Sequence, residues 1–331
     1  MALIADAPRL STVEGFTAGA LGACVAVTFT NPMDVAKTRL QLDGELRSKN
    51  APKAYRNTLD VLTKTARFEG LRACQRGLGA AYAYQFALNG SRLGFYEPLR
   101  QRIGSSFGQD PSRVKAWSSV SAGALSGAIG AIIGNPLFLI KARLQAYSPV
   151  LSSASFATIS LRSNSGPSLT QYAYKSTFDG FCHILRSEGF KGLARGVDAA
   201  ILRTAMGSSV QLPAYNYAKL YLEPYFSSQS LWLYFASSSL SGLCVLVAMQ
   251  PADTTLTRMY NQSHEAGKQL YKNPLDCLYK TIKTEGLSGL YKGSTAHFLR
   301  IAPHTIITLV SNEAIKQWWL EKKGLKMSAM F

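Results

Sequence analysis

Three copies of one spaced pattern constrain this chain more than any other feature. Tyr55-Arg56, Tyr174-Lys175 and Tyr271-Lys272 each open a segment with an Asp five residues after the Tyr: Asp60, Asp179, Asp276. A Glu-Gly pair comes next in each (Glu69-Gly70, Glu188-Gly189, Glu285-Gly286). A basic-Gly pair closes each, seven residues after that Glu: Arg76-Gly77, Arg195-Gly196, Lys292-Gly293. Repetition of this kind decides architecture before any local reading. It divides the 331 residues into repeats at 10–105, 113–225 and 230–320.

Apolar stretches flank every copy. Residues 13–40, 114–145 and 231–258 precede the three segments, and 78–99, 198–222 and 295–319 come after them. Each is long enough for a hydrocarbon core of about 30 Å, which about 20 helical residues cross. Each repeat therefore reads as membrane helix, short amphipathic helix, membrane helix. In the first short helix Leu59, Leu62 and Ala66 fall at helical spacing. Six spans place both termini on one side, and the Lys and Arg crowding the short-helix loops make the loop side the positive one. Composition agrees, with 47% hydrophobic and 17% charged residues against roughly 25% charged in soluble domains. The net charge of +17 calls for an anionic partner. Because the basic residues recur between apolar stretches, they suit lipid headgroups better than a nucleic-acid groove.

Small residues at about four-residue spacing (Gly15, Gly19 and Gly22; Ser119, Gly123 and Gly127; Ser238 and Gly242) predict close backbone approach. Pro32, Pro136 and Pro251 stand at equivalent places near the ends of the first, third and fifth spans. Each removes a helical hydrogen bond and crowds the preceding turn, so three helices are expected to bend toward a common axis. The five cysteines form no CxxC pair and read as small buried residues, not as a disulfide framework or a zinc site. No secretory signal is expected from the first residues. Residues 146–173, rich in Ser with Pro149 and Pro167, read as a flexible insertion. No phosphate-binding Gly loop, HExxH, nucleophile elbow or metal cluster points to an enzyme. No metal is expected.

The residues immediately after each proline carry a resemblance. Pro32-Met-Asp34-Val-Ala-Lys37-Thr-Arg39-Leu-Gln41, Pro136-Leu-Phe138-Leu-Ile-Lys141-Ala-Arg143-Leu-Gln145 and Pro251-Ala-Asp253-Thr-Thr-Leu256-Thr-Arg258-Met-Tyr260 resemble the mitochondrial carrier signature. With the Glu-Gly and basic-Gly marks, the likeness covers nearly the whole chain. It implies an all-α membrane protein: six tilted transmembrane helices in a threefold pseudosymmetric barrel, with three short amphipathic matrix helices. Such a barrel alternates between states open to either side. The resemblance further implies a monomer in the mitochondrial inner membrane, a peroxisomal membrane being the less favoured alternative.

Acid and base three residues apart lie on one helix face. Family geometry implies a matrix gate pairing Asp34 with Lys141, Phe138 with Leu256, and Asp253 with Lys37. The sequence departs from the signature at Phe138 and Leu256, both on one pair. An unpaired charge there costs several kcal/mol, and losing both avoids it. Two ion pairs and one apolar contact are expected, with Gln41 and Tyr260 hydrogen-bonding the ionic pairs from below. A weaker counterpart on the even helices, Tyr96-Glu97-Pro-Leu-Arg100, Tyr215-Asn216-Tyr-Ala-Lys219 and Asn312-Glu313-Ala-Ile-Lys316, implies a cytoplasmic gate.

Thirteen residues before Glu97, Asn216 and Glu313 stand Tyr84, Arg203 and Arg300, at one depth by repeat equivalence. Arginine at that depth faces a cavity or a partner. Neither Arg203 nor Arg300 has an acid within one turn of its own helix, so a passing anion is expected to neutralise them. Arg92, two turns from Tyr84, joins them. Guanidinium forks match carboxylate or sulfate bidentately. Arg203-Thr204 resembles the arginine-plus-polar pair of keto-acid and dicarboxylate carriers. The stretch from Gln211 to Asn216 resembles fungal oxaloacetate carriers. Tyr84, Gln85 and Asn89 are candidates for neutral hydrogen bonds.

A small dianion is thus expected (oxaloacetate, malonate, a related dicarboxylate or sulfate), moved by exchange or proton symport, with Glu97, Glu313 and His304 as candidate proton sites. At Gly70, Gly77, Gly189, Gly196, Gly286 and Gly293, with Arg76, Arg195 and Lys292 beside them, main-chain N–H groups at helix starts favour an anion, and the resemblance implies bound cardiolipin phosphates there; no other cofactor is expected. The alternatives are a proton-leak carrier and a transport-inactive docking protein.

Overall fold

The computed structural model describes residues 12–46, 54–106, 116–148, 172, 174–225, 231–262 and 269–323. Most of the 146–173 insertion and the N-terminal residues lie outside the described residues. Among the described residues the chain is helical, with no strand. Six long helices, α1 (Thr12–Leu42), α3 (Leu78–Ser106), α4 (Ala116–Ala146), α6 (Val197–Leu222), α7 (Leu231–Asn261) and α9 (Ser294–Lys322), alternate with α2 (Thr58–Glu69), α5 (Thr177–Ser187) and α8 (Pro274–Glu285). A single turn comes after each short helix, at Leu71–Gln75, Gly189–Leu193 and Leu287–Leu290.

The long helices touch in cyclic order. α1 packs on α9, α3 on α4 and α6 on α7 along most of their length; α1 with α3, α4 with α6 and α7 with α9 complete the ring. At 26 to 31 residues and 1.5 Å per residue, each is roughly 40–45 Å long. By hydropathy as well as length, among the described residues, only Ser121–Ala146 of α4 is apolar enough to cross a membrane alone, with mean hydropathy 1.7. α1 and α7 carry buried charges, Asp34, Lys37, Arg39, Asp253 and Arg258, which lower that average. α1, α4 and α7 continue as helix through Pro32, Pro136 and Pro251, and beyond these prolines the three meet one another. That end is the floor of the ring.

The Asp of each repeat has a local cause. Asn57, Ser176 and Asn273 cap the short helices by accepting from the N–H of Asp60, Asp179 and Asp276. In return the Asp carboxylates accept from the N–H of Arg56, Lys175 and Lys272 at 2.9, 2.8 and 3.0 Å. Each resembles a capping box, with the carboxylate reaching one residue beyond the N-cap. Tyr55, Tyr174 and Tyr271 are buried beneath these helices.

Three expectations need correction. The face of α2 turned to the bundle is Thr58, Val61 and Thr65, while Leu59 is 66% exposed. Its equivalents Phe178 and Leu275, and Leu71, Phe190 and Leu287 just beyond, are also exposed. The short helices thus have a second, apolar outer face, as helices lying in a membrane interface do. Close approach at the small residues is confined to Gly22, whose added Cβ would stand 3.0 Å from Asn312 N, and Gly127, at 3.5 Å from Thr204. A Cβ on Gly15, Gly19, Gly123 or Gly242 would meet nothing within 4 Å, because the helices leave space around these positions. The side chains of Ser119 and Ser238 lie outside the described residues. Of the five free cysteines only Cys277 is buried.

Candidate functional site

The floor joins the three signature segments. Asp34 and Lys37 sit one turn apart on α1 and turn to different neighbours. Lys141 Nζ donates to Asp34 Oδ2 at 2.8 Å, and Lys37 Nζ lies 2.6 Å from Asp253 Oδ2. All four side chains are at least nine-tenths buried, where water cannot screen the pairs. At the third place Leu256 is buried and Phe138 packs against its cluster. The Phe138 ring meets Tyr84 edge-on at 5.1 Å and Tyr260 at 5.7 Å. Lys141 and Arg203 lie 5.5 and 5.7 Å from its centroid, within cation–π reach.

Gln41 and Tyr260 behave differently. Gln41 Nε2 donates to Asp253 Oδ2 at 2.9 Å, while its Oε1 accepts from Thr257 at 2.7 Å. Tyr260 reaches no ionic pair: its hydroxyl donates to Asn135 Oδ1 at 2.6 Å. The pair above it is apolar and offers a phenol nothing to bond.

Arg203 and Arg300 require the largest correction. Arg203 Nε donates to Asp253 Oδ1 at 2.8 Å. Arg300 Nε stands 3.0 Å from Asp34 Oδ1 in ion-pair contact without hydrogen-bond alignment, and its Nη1 donates to Asp34 Oδ2 at 3.4 Å. Fixed carboxylates therefore hold both guanidinium groups. Inspecting each arginine's own helix missed them, since the acids come from α7 and α1. Each gate aspartate is shared between a lysine and an arginine. Among the described residues, four cations of this cluster face two carboxylates. The arginine side chains remain 19% and 18% exposed where the lysines are 8%, so the arginines are the more accessible cations of the cluster.

Tyr84, Thr204, Arg203, Phe138, Leu256 and Tyr260 line one small cavity. The Thr204 hydroxyl donates to Ala200 O at 2.9 Å, which leaves only its lone pairs for a ligand. Gln85 is half-buried on α3, and Arg100, Lys219 and Lys316 are half-buried toward the far ends of α3, α6 and α9. The side chains of Asn89, Arg92, Glu97, Asn216 and Glu313 lie outside the described residues. His304 is half-buried, with Nδ1 3.4 Å from Thr30 Oγ1.

Below this cluster lies a second charged ring. Arg39 donates to Glu69 at 2.6 and 2.9 Å, Arg143 to Glu188 at 2.6 and 3.3 Å, and Arg258 to Glu285 at 2.7 and 2.9 Å. The same glutamates also take Arg76, Arg195 and Lys292 at 2.9, 3.5 and 2.6 Å. These three cations, expected to face phosphate, are committed to carboxylates of this chain. In this outer ring the opposing charges from both ends of Glu69 and Glu285 outweigh the burial that raises their pKa, and hold both carboxyls below the ordinary glutamate value.

The glycines of the basic-Gly pairs have a packing role. Gly196 lies at φ +73°, and a Cβ there would stand 2.6 Å from the Tyr260 ring; at Gly293, φ +75°, it would stand 3.0 Å from Lys37 O. Positive φ and a close neighbour both demand glycine. Reading the sequence also missed an amide before each proline. Asn31 donates to Arg76 O, Asn135 to Arg195 O and Gln250 to Lys292 O, at 3.2, 3.1 and 3.0 Å. The signal was present, as Asn-Pro, Asn-Pro and Gln-Pro.

Known proteins share this repeat. A family model described as mitochondrial carrier protein matches residues 8–107, 112–226 and 227–323. A mitochondrial oxaloacetate transport protein of Schizosaccharomyces pombe is 46% identical over 315 residues, covering 95% of this chain and 93% of that one. One of the same name from Saccharomyces cerevisiae is 45% identical over 311 residues, covering 93% and 90%. Mitochondrial citrate transporter E of Aspergillus niger is 48% identical over 303 residues, covering 91% and 92%.

Proposed function

The chain belongs to the mitochondrial carrier family, and from that premise we propose that it carries a small organic dianion, oxaloacetate or a related dicarboxylate, across the mitochondrial inner membrane by alternating access. The observation that supports this reading is the charge surplus at the floor, where four cations share two carboxylates. A dianion balances that surplus; a neutral solute does not. A monocarboxylate balances half of it.

Two carboxylates also suit the geometry. One end of the anion competes with Asp253 for Arg203, the other with Asp34 for Arg300. Taking the arginines leaves each aspartate with its lysine alone, which lowers the cost of parting α1, α4 and α7. Binding and gate release are then one event, as transport by differential affinity for two states requires. The citrate transporter among the relatives makes a tricarboxylate the second candidate, since it shares the two-carboxylate grip. The six long helices close their ring within one chain, which supports a working monomer. Cardiolipin phosphates would rest on main-chain N–H groups near Gly70, Gly189 and Gly286, because the adjacent cations are already paired.

Uptake of labelled malonate, oxaloacetate, sulfate and citrate into liposomes loaded with unlabelled anion tests the reading. Saturable dicarboxylate exchange that disappears in Arg203→Ala is the expected outcome. Proton flux without exchange would instead indicate a leak, and neither flux a docking role.

A further inference from the structure

One buried ionisable group has no part in the mechanism above. His297, in the first turn of α9, is fully buried. Its Nδ1 lies 2.8 Å from Gln250 Oε1, and its Nε2 has no hydrogen-bond partner. Gln250 Nε2 donates to Lys292 O at 3.0 Å, which fixes the amide so that Oε1 points at the ring. Nδ1 therefore carries the hydrogen, and Nε2 holds an unused lone pair.

Repeat equivalence shows how unusual this is. Four residues after the glycine of each basic-Gly pair stand Ala81, Ala200 and His297, so the histidine occupies a place where the other repeats have a methyl group. It also replaces a bond. The amide oxygen of Asn31 accepts from Gln145 of the next repeat at 3.0 Å, and that of Asn135 from Tyr260 at 2.6 Å. The matching donor for Gln250 is Gln41, but Gln41 is turned to Asp253 and Thr257. His297 supplies the missing hydrogen.

The charges around His297 come from every helix that packs there: Lys37 from α1, Asp253 from α7, Arg203 from α6 and, one turn along α9, Arg300. Asp34 is engaged with Arg300 and Lys141. With the cavity empty, a proton on Nε2 would meet three cations and one carboxylate. A dianion seated on Arg203 and Arg300 cancels that surplus.

We propose that His297 is the proton site of anion–proton cotransport, its Nε2 taking a proton when a dianion occupies the two arginines and releasing it when the anion leaves. This rests on the carrier reading and names its coupling. The proton comes from hydronium on the acid side: one of its O–H bonds breaks as the N–H bond forms at Nε2, leaving neutral water. It returns to water on the other side, and no electrons move.

Proteoliposomes with the membrane potential clamped at zero test this with labelled malonate, and an internal pH dye reads proton entry. Coupling to one proton supports up to about tenfold accumulation per unit of pH gradient, acid outside. The wild type is expected to accumulate malonate with internal acidification. His297→Ala, the residue of the other two repeats, and His297→Gln, which keeps a donor for Gln250, are expected to exchange malonate at equal pH yet lose gradient-driven accumulation. Accumulation undiminished in both variants, or none in the wild type, overturns the proposal. Loss of equal-pH exchange in both variants also overturns it, making His297 a structural brace. A wild type without equal-pH exchange defeats the carrier reading itself.

Discussion

The two ends of the ring are built by different rules. At the floor, α1, α4 and α7 are bound by buried ion pairs and by glycines against side chains and carbonyls. Toward the other end, Gly15, Gly19, Gly123 and Gly242 border open space, and the ion pair Lys323–Glu14 is partly exposed. Among the described residues, the helices are therefore tied by buried ion pairs at one end and leave open space around these glycines at the other. The lock is polar, and in the proposed transport cycle a charged solute undoes it.

Breaking one ion pair at each end should give the largest contrast. Arg143 is fully buried, pairs with Glu188 and also donates to Tyr260 O and Tyr174 Oη. Removing one partner of a buried pair strands the other, at about 3–5 kcal/mol. Arg143→Ala should therefore lower the melting temperature of the detergent-solubilised protein sharply. Lys323→Ala, at a pair whose lysine is 45% exposed, should cost less than about 1 kcal/mol. Equal shifts would mean that the floor ring is not what holds the fold.

A methyl group sharpens the same comparison. Gly196→Ala would press Cβ against the Tyr260 ring at 2.6 Å, and overpacking of this kind costs about 1–3 kcal/mol, before the strain of positive φ. Gly19→Ala enters open space within a helix, where it should stabilise by about 0.5–1 kcal/mol. Thermal unfolding of the two variants should move in opposite directions.

Much of this was legible in the sequence, and the remainder was hidden for physical reasons. The pairs Asp34–Lys141 and Asp253–Lys37 came from the resemblance to the carrier signature, and the long and short helices from spacing, because a helix fixes which residues share a face. Partners across helices did not. Arg203 and Arg300 looked free because their carboxylates lie on other helices. Arg76, Arg195 and Lys292 looked available to lipid because spacing does not show that Glu69, Glu188 and Glu285 turn back toward them. Glycine at four-residue intervals signalled close packing equally for Gly22, which has it, and Gly19, which does not. Spacing reports which residues share a face, but not whether a neighbour occupies it.

The last contrast is one of rate, where the floor lacks its third ion pair. Phe138→Asp would place a carboxylate where Lys141 and Arg203 now lie 5.5 and 5.7 Å from the phenyl centroid. There it competes with Asp34 and Asp253 for their partners. It also cuts the surplus of positive charge from two to one, so the site fits a dianion less well. A shift of about 1.4 kcal/mol in either binding or floor opening slows exchange by about tenfold, and that is the loss expected of the single variant. Adding Leu256→Lys supplies a cation across the gap, restores the surplus and should recover most of the rate. Equal exchange by the single and double variants would show that Phe138 and Leu256 do not occupy a gate position at all. Recovery would show that the apolar contact stands in for an ion pair, and that the charge surplus sets which anions pass.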